Sequence, residues 1–280
     1  MRVAFLGLGR MGAPMAARVA AVHPTTVWNR TARPAAVPAG AAVARTPAEA
    51  VAAADVAITM VADAAALDTV LGGPDGVLAG LAPGSVLVDM STIGPEAARA
   101  VAARCAVADV GFVDAPVSGS VGLATAGELL VMAGGEAALL AWVEPVLRTM
   151  AKAVVPTGAV GAGAAMKVAV NLALAVTSQA VAEALAVTTA AGIDPERAYD
   201  VLQGGALGSP YVRYKRAAFL DPEGTPVAFT IDLMAKDVAL ALALAHEVGV
   251  TAAAGETAAS TLTEASAEGR GDADVSRVLA

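Results

Sequence analysis

The chain has 280 residues, room for two domains with a sizeable core. It is 57% hydrophobic but only 3% aromatic, so its interior must be built from Ala, Val and Leu, a mixture suited to closely packed helices. A net charge of −8 excludes a broad nucleic-acid surface, which needs a basic stripe, but allows a local basic pocket; the expected partner is a small molecule.

In chain order, Met1 and Arg2 lead straight into a strand-like run, RVAFLG, with no basic region, apolar segment and cleavage site of a secretion signal. Further Val/Ala/Ile/Leu runs follow at TTVWN, VAITMV, SVLVDM, GFVDAP, ELLVMAGG and AKAVVP, separated by Ala-rich helical stretches. Strands that are apolar along their whole length have both faces covered, so this alternation predicts a parallel sheet in a doubly wound α/β domain. Cys105 is the single cysteine, which excludes an intrachain disulfide and a cysteine metal cluster and fits a reducing, cytoplasmic setting. His23 and His246 have no motif context, and no metal site is expected.

After the glycine-rich GAVGAGA the strand signals stop. One long helix is predicted from Ala164 to about Ala191, ended by Gly192, with Asp194 and Pro195 opening the next and a further helix from about Ile231 to Val248. The uncharged stretch VAVNLALAVTSQAVA carries Asn, Ser and Gln and falls short of the ~20 apolar residues of a membrane span, so it is expected as a buried helix, away from any membrane. The boundary falls near Thr157 to Gly161, giving residues 1–160 as the α/β domain and 161–280 as an all-α domain. So much Ala and Leu in the second domain leads to the expectation of a core completed across a homodimer or homotetramer interface.

The first strand runs into Gly7-Leu8-Gly9-Arg10-Met11-Gly12 and a helical APMAARVAA. The first glycine permits a tight turn, the second lets backbone amides approach a pyrophosphate, and the third lets helix and strand pack closely, with the helix N-terminus favouring the anion. Among 28 glycines such spacing can arise by chance; its place between a first strand and a helix argues for a dinucleotide site. Where an NAD site would put an acid on the ribose hydroxyls, the second strand ends in Trp28-Asn29-Arg30-Thr31. A neutral Asn29, the Arg30 fork and the Thr31 hydroxyl suit a 2′-phosphate that a carboxylate would repel, which predicts NADP(H) in preference to NAD(H). The other reading of Arg30 is a solvated loop charge.

With these residues in place the sequence resembles the β-hydroxyacid dehydrogenases, the family of 3-hydroxyisobutyrate dehydrogenase, tartronate semialdehyde reductase and the glyoxylate/succinic semialdehyde reductases. Five blocks carry the resemblance in order over nearly the whole chain: FLGLGRMGAPMA, DMSTIGP, FVDAPVSGSVGLATAGELLVMAGG, GAGAAMKVAVN and LMAKDVALA. The resemblance implies a Rossmann-type N-terminal domain, an all-α C-terminal domain, and interconversion of a small β-hydroxyacid, or a 2- or 4-hydroxyacid, with its semialdehyde or keto acid.

It also implies roles for residues. Lys167 matches the family's catalytic acid/base, and an alkoxide developing on a carbonyl oxygen does need a proton donor within reach. Asn171, four positions on and on the same helix face, would orient the substrate hydroxyl or the lysine. Ser118 and Gly119 match the substrate-carboxylate site, Phe229 a wall of the substrate pocket, and Asp237 the acid that supports the closed site. Met60, Val61, Thr92 and Lys236 match positions against the cofactor. Ser209-Pro210 and Lys215 resemble the SPxxxxK segment of the short-chain semialdehyde reductases. Taken singly, Lys167 and the Lys236-Asp237 pair read as exposed helix charges, Ser118-Gly119 as a plain turn and Met60 as core.

The chain departs from the family pattern at Ser120, Val170 and Ala126-Gly127-Glu128, beside the carboxylate loop and the catalytic helix, so the substrate pocket is where it is expected to differ. Two enzymatic alternatives share the fold. An imine reductase usually replaces the lysine with Asp or Tyr, and a 6-phosphogluconate dehydrogenase is longer with more basic residues. A non-catalytic dinucleotide-binding dimer module is the alternative of another class; the presence of Lys167, Asn171 and Ser118 argues against it.

Overall fold

The computed structural model describes residues 1–279, and the chain divides into two compact units, Met1–Lys167 and Val168–Ala280. The first unit is built on nine strands: β1 (Val3–Leu6), β2 (Thr25–Trp28), β3 (Ala42–Val43), β4 (Val56–Thr59), β5 (Val86–Asp89), β6 (Gly111–Asp114), β7 (Val117–Ser118), β8 (Leu129–Gly134) and β9 (Ala151–Gly158). They lie in the order β3-β2-β1-β4-β5-β6-β8-β7, with β9 on β8. From β3 to β6 every pairing is parallel, the doubly wound arrangement.

The all-apolar strands are explained by what covers them. Alternate residues of β1 enter different layers: Val3 and Phe5 pack with Met15 and Val19 on one face, Ala4 and Leu6 with Val51, Leu67 and Leu71 on the other. Burying a side chain such as Phe5 or Leu6 on either face contributes about 1.5–3 kcal/mol, so a polar residue at any of these positions would be costly.

The sheet is not parallel throughout. β8 runs antiparallel to β6 and β7, and only β9 restores a parallel pairing. Segment 119–128 holds only the helix Val121–Ala126, too little for the crossover that a parallel return requires. The two-residue strands β3 and β7 leave no alternation for a sequence reading to detect.

The second unit is helical, with Pro195–Gly204, Pro210–Leu220, Ile231–Glu247 and Ala253–Ala265 following the long helix Ala162–Ala190 that begins in the first unit. Local chemistry sets the ends. Asp194, Ser209 and Thr230 accept from the third residue beyond at 3.1, 3.2 and 3.2 Å, with Pro195 and Pro210 opening their helices. Gly192, at φ +84°, closes the long helix in the left-handed conformation.

The long helix was expected to be buried, and here the structure differs. Ala164, Val168, Asn171, Ala175, Ser178, Val181 and Ala182 form its buried stripe, whereas Ala169, Ala173 and Ala180 within the stretch 168–182, and Met166 and Val187 beyond it, are exposed in the single chain. By length and composition this helix is apolar enough to cross a membrane, with a mean hydropathy of 1.5 over its best window. Its apolar residues encircle it, but the unit supplies packing partners on one side only.

Candidate active site

The first loop is shaped by what its glycines leave out. Gly7 has φ +104°, and a Cβ there would lie 2.2 Å from the carbonyl oxygen of Met60; one on Gly12 would lie 1.9 Å from the oxygen of Gly7. Both positions are closed to any side chain. Gly9 differs, because a Cβ there would meet nothing within 4 Å. The turn and the helix–strand contact therefore require Gly7 and Gly12, while Gly9 opens onto free space in front of the helix Gly12–Ala20. That is the fit a pyrophosphate needs, with helix amides behind a surface free of side chains. Leu8 is buried in the core, Met11 packs against it, and Arg10 is exposed.

Asn29 closes this loop from the end of β2. Its Oδ1 accepts from the Leu8 amide at 2.7 Å, and its Nδ2 donates to the Thr31 carbonyl at 2.6 Å. Its side-chain amide thus ties the glycine loop to the β2 turn. Arg30 and Thr31 are exposed beyond it, with Arg33 exposed in the same turn, and residues 29–34 include no acid.

The ends of β4 and β5 are joined through a buried carboxylate. Asp89 Oδ1 accepts the hydroxyls of Thr59 at 2.7 Å and Ser91 at 2.8 Å, and Ser91 Oγ accepts the Val61 amide at 2.9 Å. Met60 and Val61, both half-buried, are thus held in place, and Thr92 follows Ser91. Burial pushes Asp89 up to about 6, and Asp114 beside it adds to the shift. The Gly7–Gly12, Asn29–Thr31, Met60–Val61 and Thr92 segments all leave the carboxyl ends of parallel strands, where open α/β sheets bind ligands.

Ser118 ends β7 half-exposed, and Gly119 follows at φ +143°, a conformation that strains any other residue, and a Cβ there would lie 2.7 Å from Leu129 Cδ2. The departure at Ser120 has a structural account: its hydroxyl accepts from Leu123 N at 3.4 Å and caps Val121–Ala126, which Gly127 closes at φ +75°. Nothing in the structure explains Val170.

Lys167 lies half-buried on the helix Ala162–Ala190, with Asn171 one turn further along. Within the second unit Asn171 is buried and its Nδ2 donates to Asp237 Oδ2, while Lys236 Nζ pairs with Asp237 Oδ1 at 2.8 Å. The structure therefore brings Asn171, Lys236 and Asp237 together. Lys215, of the SPxxxxK segment, is 2% exposed, and its Nζ lies 2.7 and 2.8 Å from the oxygens of Asp274. Asp274 also accepts the amides of Ala228 and Phe229, at 3.0 and 3.3 Å, so the same carboxylate holds the half-buried Phe229 loop. Burial works to lower Lys215, and the ion pair opposes that.

Asp89, Asp114 and Asp274 are site-supporting residues that the motif reading passed over. Asp89 and Asp114 did carry a signal, an acid closing an otherwise apolar strand in VLVD and GFVD. Asp274 gave no sign of its link to Lys215 and the Phe229 loop, since those partners lie 45–59 residues away.

Residues 2–161 match the family model for the NAD binding domain of 6-phosphogluconate dehydrogenase, and residues 161–280 that for NAD-binding of NADP-dependent 3-hydroxyisobutyrate dehydrogenase. The chain is 34% identical to 2-(hydroxymethyl)glutarate dehydrogenase of Eubacterium barkeri, over 100% of this chain and 94% of that protein. It is 37% identical to a probable 3-hydroxyisobutyrate dehydrogenase of Mycobacterium tuberculosis, covering 99% and 96%. Among solved structures, 3-hydroxyisobutyrate dehydrogenase from Salmonella typhimurium superposes with a TM-score of 0.90 at 32% identity, covering 99% and 98%. An imine reductase from Pseudomonas sp., at 22% identity and a TM-score of 0.64, shares the fold alone. With two family models spanning it end to end and relatives of this identity along its whole length, the chain belongs to the β-hydroxyacid dehydrogenase family of nicotinamide-nucleotide-binding oxidoreductases.

Proposed function

We propose that this protein is an NADPH-dependent reductase of small carboxylated aldehydes or ketones that equally catalyses the reverse oxidation of the corresponding hydroxyacids with NADP+ as hydride acceptor. The observation that carries the reading is the placement of Lys167 one turn before Asn171 on a helix whose first turn is fixed by buried polar contacts. The relatives named for 3-hydroxyisobutyrate and 2-(hydroxymethyl)glutarate support a β-hydroxyacid as substrate class.

When bound, the nicotinamide supplies the hydride in reduction and takes it up in oxidation. In reduction, Lys167 Nζ gives a proton to the carbonyl oxygen as negative charge grows on it, and in oxidation it takes that proton back. Asn171 orients the reacting oxygen or the lysine, and its own amide is turned by Asp237. Ser118 and the backbone at Gly119 hold the substrate carboxylate with dipoles in place of a second cation. Phe229 walls the substrate, and Lys236 approaches the cofactor. Arg30 and Thr31 favour the 2′-phosphate of NADPH, with no acid from residue 29 to 34 to repel it. Gly7, Leu8, Gly9, Arg10, Met11 and Gly12 cradle the pyrophosphate, with Met60, Val61 and Thr92 lining the nicotinamide side.

The exposed apolar face of the long helix favours a second copy of this chain as its cover, to give a homodimer or a pair of dimers. A monomeric mass in light scattering would remove that part of the reading. The setting proposed is cytoplasmic.

The test measures initial rates with NADPH and NADH against glyoxylate, succinic, tartronate and methylmalonate semialdehydes and a cyclic imine, with Lys167→Ala in parallel. Turnover of one acid with NADPH, lost in the variant, is the expected result. Turnover of the imine alone, or full activity in Lys167→Ala, overturns the assignment.

A further inference from the structure

A 29-residue helix presents several amides at its start that have no intrahelical acceptor. Residues 158–162, GAVGA, offer no Ser, Thr, Asp or Asn to cap them, and the first intrahelical bond, from Ala165 to Gly161, forms at 2.9 Å. The acceptor arrives instead from a strand 47 residues earlier: Asp114 Oδ1 takes the Gly161 amide at 2.7 Å, and Oδ2 takes the Ala164 amide at 2.7 Å. The Gly163 amide is also among the groups bonded to it.

The packing around this contact excludes side chains. A Cβ on Gly134 would lie 2.6 Å from Asp114 Oδ1, and one on Gly163 would lie 2.4 Å from the Met132 oxygen and 2.7 Å from the Asp114 oxygen. Asp114 is 1% exposed, at the end of β6. Both of its oxygens accept N–H groups and neither donates, the pattern of an ionised carboxylate; burial pushes the group up, and the Gly161, Ala164 and Gly163 amides oppose that. Its register partner on β5 is Asp89, a second acid, and Arg99 lies beside Gly161.

Lys167 stands three residues beyond Ala164, a rise of about 4.5 Å along the helix. Side chains on a helix lean toward its N-terminus, a direction that carries Lys167 back toward the turn whose amides Asp114 holds.

We infer that Asp114 is a positioning residue for Lys167: it anchors the first turn of the lysine's helix to the sheet and places a fixed negative charge behind the ammonium. This rests on the assignment of Lys167 as the proton donor. In Asp114→Asn one oxygen can still accept an amide, but the other becomes a donor facing a donor and the charge is gone.

The experiment compares wild type, Asp114→Asn and Lys167→Ala in NADPH-linked reduction across pH, with amide hydrogen exchange of residues 159–166 in the wild-type enzyme. Asp114→Asn is expected to lower kcat about tenfold or more, in line with the cost of misplacing a catalytic group, with KM for NADPH held within twofold. Loss of the negative charge favours the neutral amine, so the alkaline limb of the rate profile moves to lower pH by about half a unit. In wild type the Gly161, Gly163 and Ala164 amides exchange slowly.

Unchanged kcat and limb in Asp114→Asn, with Lys167→Ala inactive, overturns the inference and leaves the proposed function standing. Loss of stability with an unmoved limb reduces Asp114 to a structural part and equally overturns it. Fast exchange of these amides in wild type does so without any variant, which covers the case in which Asp114→Asn does not fold. Full activity in Lys167→Ala overturns the proposed function itself.

Discussion

The side-chain amide of Asn171 donates to the carboxylate of Asp237, 66 residues further along the chain, and Lys236 pairs with the other oxygen of the same carboxylate. Asp237 and Asn171 are each 2% exposed, so water cannot replace either partner. The bond fixes which end of the Asn171 amide faces Asp237, and so which end is left toward the rest of its surroundings.

Asp237→Ala therefore removes the acceptor of a buried amide and the counter-ion of a partly buried ammonium. The expected loss is about 3 kcal/mol, the scale for a broken buried charged contact, read from the urea midpoint at constant m-value. Asp237→Asn keeps an acceptor for Asn171 and should lose less. Equal losses would mean that the Asn171 bond contributes little.

Asp89 predicts a pH signature. Its carboxyl lies near 6 when folded against an ordinary value of 3.8, because burial disfavours the charged form. Between those values the folded chain binds more protons than the unfolded one, so this group's contribution to stability falls as pH rises from about 4 to 6. The size is about 3 kcal/mol at 1.36 kcal/mol per unit. Asp89→Asn, measured against wild type by denaturant unfolding at pH 4, 5, 6 and 7, should gain relative stability by that amount across the window. A difference that is flat with pH would exclude a buried titrating Asp89.

Asp274 and Lys215 form a buried pair whose halves are not equivalent. Asp274 keeps the Ala228, Phe229 and Ser276 amides if the lysine is removed, whereas Lys215 keeps no hydrogen-bond partner of similar strength if the acid is removed. Asp274→Ala is expected to cost about 3–5 kcal/mol and Lys215→Met distinctly less, by thermal or urea unfolding. Asp274→Ala should also raise KM for the carbonyl substrate by releasing the Phe229 loop. The reverse order of stability losses would mean that the lysine, and not the amides, dominates at Asp274.

The three loop glycines should separate stability from binding. Gly12→Ala drives a Cβ into the Gly7 carbonyl and should unfold the unit or lower its Tm sharply. Gly9→Ala meets no protein atom, so Tm should hold while NADPH binds about tenfold or more weakly, as a methyl stands where the pyrophosphate approaches the backbone. Calorimetric titration and thermal unfolding read the two effects separately. Unchanged affinity in Gly9→Ala would place the nucleotide elsewhere.

Much of the first unit was legible because its strands are short, apolar on both faces and bounded by turn residues. Val3–Leu6, Val56–Thr59 and Val86–Asp89 each fall inside a run visible in the sequence. The mixed edge was not legible. β7 is two residues long, and the direction of β8 depends on how little chain lies between them, which hydrophobic pattern does not record. Of the site residues, Gly7 and Gly12 were legible with their reasons. Asn29 was legible as a position, whereas its hydrogen bonds to Leu8 and Thr31 were not.

The sequence by itself determined the local features: caps at Asp194, Ser209 and Thr230, the stop at Gly192, the glycine turn and the lysine–asparagine spacing on one helix. Each depends on residues within about a turn of one another, where backbone geometry leaves few choices. Tertiary structure decided how the buried carboxylates are used. Asp114, Asp89 and Asp274 bind donors that lie far apart in the chain, and which distant amide or hydroxyl reaches a buried oxygen is set only when the layers pack. A buried charge without such partners is too costly to persist, so the fold that supplies them fixes their roles.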